Sequence, residues 1–182
     1  TETANKGWDA ALPRICTWGE FRDLKKKKKV WFFNLHFDHV GVEARKQSAR
    51  LVLDMIKKKC GNDAVILTGD FNVDQTNESY QLLANSTILS DTYEKAEIRY
   101  ALNGTFNSFK GDRATNSRID HIFVSGKLKT DRYGILTDSY RVPKNNDKQN
   151  IGDFPKEVYS VEAEVRMLSD HFPLKVTLYY NK

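Results

Sequence analysis

Residues 64–72 read AVILTGDFN. Ala64–Thr68 is a continuous apolar run of the kind found in strands covered on both faces. Gly69-Asp70-Phe71-Asn72 then breaks it with residues suited to a turn. A buried strand that ends in an acid and an amide places polar chemistry at the sheet edge, where α/β proteins put their sites. Three other stretches repeat this pattern. Val30–Phe37 (VWFFNLHF) is strongly β-prone and runs into Asn34-Leu35-His36-Phe37-Asp38-His39. Arg118-Ile119-Asp120-His121 opens a strand over Ile119–Ser125, and Ser169-Asp170-His171 precedes a last strand over Phe172–Tyr180. All 4 histidines of the chain lie in these clusters, a coincidence that composition does not explain.

Between these clusters the chain reads as one strand-rich α/β domain. Its 182 residues, 40% hydrophobic and 12% aromatic, suffice for a core and leave little room for a second domain. Ile15–Phe21 is β-prone, so Lys25–Lys29 becomes the exposed turn of a hairpin. Over Val42–Lys59 apolar residues (Val42, Ala49, Val52, Leu53, Ile56) recur at helical spacing, and Gly61-Asn62 closes the helix. A short helical stretch is expected around Ser79–Ala84 and a strand over Tyr133–Thr137. Tyr140–Tyr159 is polar, holds two prolines and one glycine, and reads as a surface loop.

The formal charge is +5, from 29 Lys and Arg against 24 Asp and Glu, and the excess equals the Lys25–Lys29 run. A solvated turn is the plain reading of that run, and a nucleic-acid contact is the other. The 2 cysteines argue against a disulfide scaffold and suit buried thiols. No stretch approaches the ~18 apolar residues of a membrane span. Thr1–Ala10 lacks a signal-peptide pattern, so the compartment stays open, as does the oligomeric state.

Taken singly, each cluster has a bland reading. An Asp-His pair is commonly a surface hydrogen bond, GDFN a turn, and His36 a satisfied core histidine. Together they point to phosphate chemistry. Asp70 and Asp170 are hard oxygen ligands suited to Mg²⁺ or Mn²⁺. Imidazoles and Asn72 can hold phosphoryl oxygens, and Asp120 can orient an imidazole. Zinc is disfavoured, because neither cysteine has ligand-like spacing.

The stretches NLHFDH, TGDFN, RIDHIF and SDHFPL, in this order, resemble the endonuclease/exonuclease/phosphatase superfamily of pancreatic deoxyribonuclease, exonuclease III and the deadenylases. The resemblance implies a four-layer α/β sandwich, two packed, mostly antiparallel β-sheets flanked by helices. It also implies metal-dependent hydrolysis of phosphodiester or phosphomonoester bonds. On that basis His36 hydrogen-bonds the scissile phosphate, Asp70 orients or deprotonates the water, and Asn72 positions phosphate or water. Asp170 serves the metal or water network, and His171, oriented by Asp120, stabilises the transition state. The base remains open between Asp70 and His171. Asp70, Asn72 and Asp170 are the expected ligands for Mg²⁺ (or Mn²⁺), and Asn34, Asn107 and Arg118 the expected substrate contacts. Gly104–Phe109 can offer aromatic surface, and Arg113 can touch phosphate; a turn with core phenylalanines and plain surface arginine are the alternatives.

One feature departs from the resemblance. The family opens on a strand bearing an Asn, followed by a Gln-Glu pair whose Glu is the main metal ligand, and neither stands upstream of Trp8. Glu20 belongs to a mid-domain strand and is not a substitute. Residues 1–182 are therefore expected to be a single domain that is the C-terminal portion of the family's domain, partnered by a missing N-terminal segment. The expected substrate is a phosphodiester such as nucleic acid, since GDFNVDQTNESYQLL is similar to deadenylase-type and related bacterial members. A sphingomyelinase-type substrate is an alternative, and so is a catalytically incomplete binding remnant. Inositol-polyphosphate 5-phosphatases fit less well, as their Pro-Trp motif is absent.

Overall fold

The structure is a computed structural model that describes residues 5–100, 102–150, 155 and 157–181. In chain order its elements are β1 (Cys16–Arg22), β2 (Lys29–His36), α1 (Val42–Cys60), β3 (Ala64–Asp70), α2 (Glu78–Ala84), β4 (Leu89–Asp91) and α3 (Thr92–Lys95). There follow β5 (Ile98–Tyr100), β6 (Asp120–Ser125), β7 (Leu128–Ile135), β8 (Ser139–Pro143), β9 (Gln149–Asn150), β10 (Tyr159–Ser160), β11 (Ala163–Met167) and β12 (Leu174–Tyr180). The larger sheet has five strands in the order β1-β2-β3-β6-β4, and a second has three, β12-β7-β5. Within the larger sheet only β2 and β3 run parallel, and α1 supplies the crossover such a pair needs.

Side-chain alternation divides the larger sheet into two faces with different duties. Phe33, Leu35, Val65, Leu67 and Phe123 point to one face and pack under Ala49, Val52 and Ile56 of α1 and Tyr80 and Leu83 of α2. Each such side chain contributes roughly 1.5–3 kcal/mol by leaving water. Ala64, Ile66 and Val124 point the other way, against Leu128, Leu178 and Tyr180 of the smaller sheet. The packed sheets and the helices on the outer face are the sandwich expected from the sequence. Val42, expected on the buried stripe of α1, is 63% exposed, because it sits on the first turn ahead of Ala44, Ala49, Val52 and Ile56.

The start of α1 is held from a distance. Gly41 provides no side-chain cap, and instead Asp9 accepts the amides of Ala44 (2.7 Å) and Glu43 (3.2 Å). Asp38 likewise accepts the amides of Gly41 (2.7 Å), Val40 (2.9 Å), Leu12 (3.0 Å) and Ala11 (3.1 Å). These amides, Gly41's foremost, outweigh burial and hold its carboxyl well below the usual range.

Three readings are revised. Residues 140–159 are not a plain loop: β8 pairs antiparallel with β11, and β9 with β10, while 151–154 and 156 lie outside the described residues. This two-stranded arm is solvated along most of its length, so its sequence lacks the apolar alternation of a core strand. Of the strand expected over Tyr133–Thr137, only Tyr133–Ile135 belong to one, as the last three residues of β7, which begins at Leu128; Leu136 and Thr137 lie beyond its end. Cys60 is buried, but Cys16 is only half-buried; both are free thiols.

Candidate active site

The face between the sheets carries the chemistry. On β2 the even-numbered positions lead from Val30 to Asn34 and His36, on β3 from Ala64 to Thr68 and Asp70, and on β6 from Val124 back to Asp120. Parallel register sets His36 beside Asp70, and antiparallel register sets Asp70 beside Asp120. These ends open into a cleft of about 530 Å³, closed on its far side by Ser169, His171 and Phe172.

Backbone hydrogen bonds tie the four motifs together. Phe37 N donates to Asp70 O (2.9 Å), and Phe71 N to Ile119 O (2.8 Å). Phe172 N donates to Thr105 O (2.7 Å), and Asn107 N to Asp170 O (2.7 Å), so residues 105–107 lie alongside 170–172. The Thr105 hydroxyl, fully buried, accepts the amides of Ile119 (2.9 Å) and Asp120 (3.1 Å) and thereby anchors the start of β6. The sequence reading includes Thr105 only within the Gly104–Phe109 stretch and gives it no role of its own, since a lone threonine carries no signal of such an anchor. Gly69 has φ +152°, and a Cβ there would stand 2.0 Å from Leu35 O, so only glycine lets β2 and β3 approach so closely before the turn.

Within the cleft His171 Nδ1 and Asp120 Oδ2 are 2.8 Å apart, the pair expected from the motifs. His171 Nε2 then faces Asp70 Oδ2 at 3.9 Å, and His36 Nε2 lies 3.3 Å from the same oxygen. Asp70 Oδ1 accepts the Asn72 amide (2.8 Å) across a turn in which Asn72 takes φ +50°, a conformation asparagine tolerates. Burial pushes the Asp70 carboxyl up, and the neighbouring Asp120 charge adds to the push, against the Asn72 amide and both imidazoles. For His171 burial disfavours the charged ring, but the Asp120 hydrogen bond and the charges of Asp120, Asp70 and Asp170 outweigh it and raise the pKa.

The remaining expected residues are scattered. Asn34 lines the cleft and accepts the Thr68 hydroxyl (2.9 Å). The Asn72 side-chain amide donates to Phe37 O (3.0 Å) and bonds the turn to β2. Asp170 stands at the cleft's rim: its carboxylate is beside the Ser169 hydroxyl (3.4 Å), outside the group formed by Asp70, Asp120 and His171. Asn107 is 4% exposed, and its Oδ1 accepts the Phe109 amide (2.8 Å). Arg118, expected to touch substrate, is buried instead, stacked 3.5 Å over the Tyr93 ring and paired with Glu94 (3.1 Å) and Asp91 (3.7 Å). His121 also turns inward, bonded to Val73 O (3.0 Å) among Phe71, Tyr80 and Phe123. His39 pairs with Arg14 on the surface, so two of the four histidines, His36 and His171, face the cleft.

Two carboxylates and an imidazole, with ligand atoms all within 4.8 Å of one another, suit a divalent cation. Asp70 and Asp120 are hard donors facing each other without a lysine or arginine between them among the described residues, a repulsion that a cation would relieve. The Asp120 oxygen already bonded to His171 is less free than its partner oxygen.

A two-sheet α/β sandwich with carboxylates and imidazoles gathered at one edge defines a phosphoesterase-like fold. The chain belongs to the Endonuclease/Exonuclease/phosphatase family, whose model matches residues 8–171. A solved family member from Bacteroides thetaiotaomicron is 48% identical, with TM-score 0.84 over 97% of this chain and 60% of that one. The mannosyl-6-phosphatase of the same organism is 49% identical, with TM-score 0.82 over 97% of this chain and 61% of that one. An uncharacterised protein of Acanthamoeba polyphaga mimivirus is 33% identical over 126 residues, 64% of this chain and 46% of its own length. The chain thus spans about three fifths of its solved relatives and under half of the viral one.

Proposed function

We propose that this chain carries the catalytic cleft of a Mg²⁺- or Mn²⁺-dependent phosphomonoesterase whose substrate is a phosphorylated sugar. The observation behind this reading is the joint face of Asp70, Asp120 and His171 in a cleft that no lysine or arginine lines among the described residues. An extended nucleic acid needs cations spaced along its backbone, whereas one terminal phosphate can be held by a metal and two imidazoles. The likeness to a mannosyl-6-phosphatase points the same way. The nuclease or phosphodiesterase expectation is the second reading, favoured by the motifs alone.

Asp70 takes the proton of the attacking water, because its raised pKa makes it a better acceptor than an ordinary carboxylate. His171, whose charged form Asp120 favours, donates from Nε2 to a phosphoryl oxygen as negative charge grows there. His36, beside Asp70 and half-exposed, donates to a second oxygen, and Asn34 contacts the substrate at the cleft wall. Asn72 holds Asp70 in place through its backbone amide, and Asp170 supports the charge on His171. A bound cation, held by Asp70 and Asp120, supplies Lewis-acid stabilisation of phosphate charge. Mg²⁺ demands near-octahedral oxygen coordination, which Asp70 and Asp120 alone do not complete; the Glu that the family resemblance places ahead of these motifs would add a ligand.

Phosphate release from mannose 6-phosphate and cleavage of single-stranded DNA and RNA, each over a Mg²⁺ titration, test this reading. This chain and a longer one restoring the upstream segment are compared. Phosphate release that chelation abolishes and Mg²⁺ restores supports it, with the longer chain far more active. Faster cleavage of nucleic acid favours the second reading, and an inactive longer chain leaves a binding remnant.

A further inference from the structure

The pole of the domain opposite the cleft presents a single cationic surface assembled from three separate turns. The register Val30↔Ala64 brings the β1–β2 turn beside the α1–β3 turn, and antiparallel β6 returns the β6–β7 turn to the same end. Lys27–Lys29, Lys57 and Lys127 thereby line adjoining surface, with Lys25, Lys26 and Lys58 next to them in the chain, Lys59 over the Trp18 ring, and Glu20, Asp23 and Asp63 the nearby acids. Two adjoining hollows, of about 390 and 500 Å³, share Asn62, Asp63 and Lys127, joining the first turn's lysines to Lys57. This pole lies roughly 20 Å from the cleft, the length of β2 from Val30 to His36 at ~3.3 Å per residue.

The first turn is closed by hydrogen bonds and keeps Lys25–Lys29 exposed, as the sequence reading expects. Asp23 accepts the amides of Lys25 (2.8 Å) and Lys26 (2.9 Å), and its own amide donates to Lys28 O (2.9 Å). Lys28 Nζ lies over the Tyr180 ring, 4.8 Å from its centroid, and Lys29 pairs with Glu20. Lys25, Lys26, Lys27, Lys57, Lys58 and Lys127 have no carboxylate partner among the described residues. Leu24, at the tip, is 79% exposed.

We propose that this pole docks on an anionic lipid bilayer, with Leu24 entering the headgroup region and the lysines of all three turns facing lipid phosphates. Lysine offers point charges without the bidentate geometry of arginine. A planar array of phosphates suits such point charges, and the exposed leucine at the turn would reach the apolar boundary behind them.

The test measures cosedimentation of the full chain with phosphatidylcholine vesicles prepared with and without phosphatidylglycerol. Binding to the anionic vesicles alone, released by ~1 M salt where screening reaches about 3 Å, is expected. The triple variant Lys25→Ser, Lys26→Ser, Lys27→Gly should lower partitioning on the order of 100-fold, and Leu24→Ser roughly tenfold. Lys57→Gln with Lys58→Gln, on a separate turn, should weaken the same binding. Circular dichroism and melting temperature should match the parent in every variant, so that loss of binding reports the surface itself. No binding, equal binding to neutral vesicles, or indifference to these substitutions would overturn the proposal. So would tighter binding to duplex DNA or RNA than to the vesicles, which would make the pole a nucleic-acid surface.

Discussion

Replacing Asp120 with Asn should separate the two roles of the half-buried acid pair. The 2.8 Å contact to His171 Nδ1 fixes the ring so that Nε2 faces Asp70, and it helps keep the ring charged. An amide can donate to Nδ1 as readily as accept from it, so the tautomer is no longer specified. Loss of an oriented imidazolium should lower kcat by roughly 10² to 10⁴, about 3–5 kcal/mol of transition-state stabilisation. The pH profile supplies a second reading. Activity requires ionised Asp70 and protonated His171, so it falls on the acid side as Asp70 protonates and on the alkaline side as His171 deprotonates. Removing the Asp120 charge takes away a cause that raises both pKa values, so both limbs should move to lower pH. The assay is phosphate release from the longer, Mg²⁺-loaded chain across pH, with circular dichroism as the folding control. A variant within a few-fold of the parent, or an alkaline shift of either limb, would refute the pairing as the source of the chemistry.

Other outcomes follow from the same contacts. Gly69→Ala should destabilise the domain by about 3 kcal/mol or more, read as a lowered melting temperature, because its Cβ would collide with the Leu35 carbonyl. Arg118→Met should lower the melting temperature while leaving KM within about twofold, since the guanidinium is spent on Tyr93, Glu94 and Asp91 and not on substrate. Asp38→Asn should lower the melting temperature at neutral pH and flatten its dependence on acid. The Asp38 carboxyl is depressed on folding, so its contribution is complete above the unfolded value of about 3.9 and fades as pH falls toward the folded one.

Much of the larger sheet was legible because β3 and β6 are covered on both faces and β2 buries an aromatic and apolar face. VWFFNLHF, AVILT and IDHIFVS are apolar enough to declare themselves, and α1 shows its buried stripe at helical spacing. The β8–β11 arm was not legible, since a ribbon exposed along both sides has no core to pattern its residues. Four polar clusters marked the edge of the sheet, yet proximity along the chain misplaced several members. Adjacent residues on a strand point to opposite faces, so Asp120 and His121 cannot both enter one cleft. The same alternation could have been applied to the sequence to send His121 inward. Arg118 precedes β6, where no such rule operates, and its fate depends on Tyr93 and Asp91, which lie distant in sequence.

The alternation across β2, β3 and β6 also limits how this protein can change over time. Loops at either pole can lengthen or shorten without disturbing the faces they join. Loss or gain of one residue inside any of these strands would exchange its inward aromatics for its cleft-facing acids and imidazoles, burying charge and exposing Phe33 or Phe123 at once. Such lineages should therefore accumulate indels in the turns and pure substitutions in the strands. New substrate preferences are then more accessible through the segments around the cleft than through the sheet that carries it.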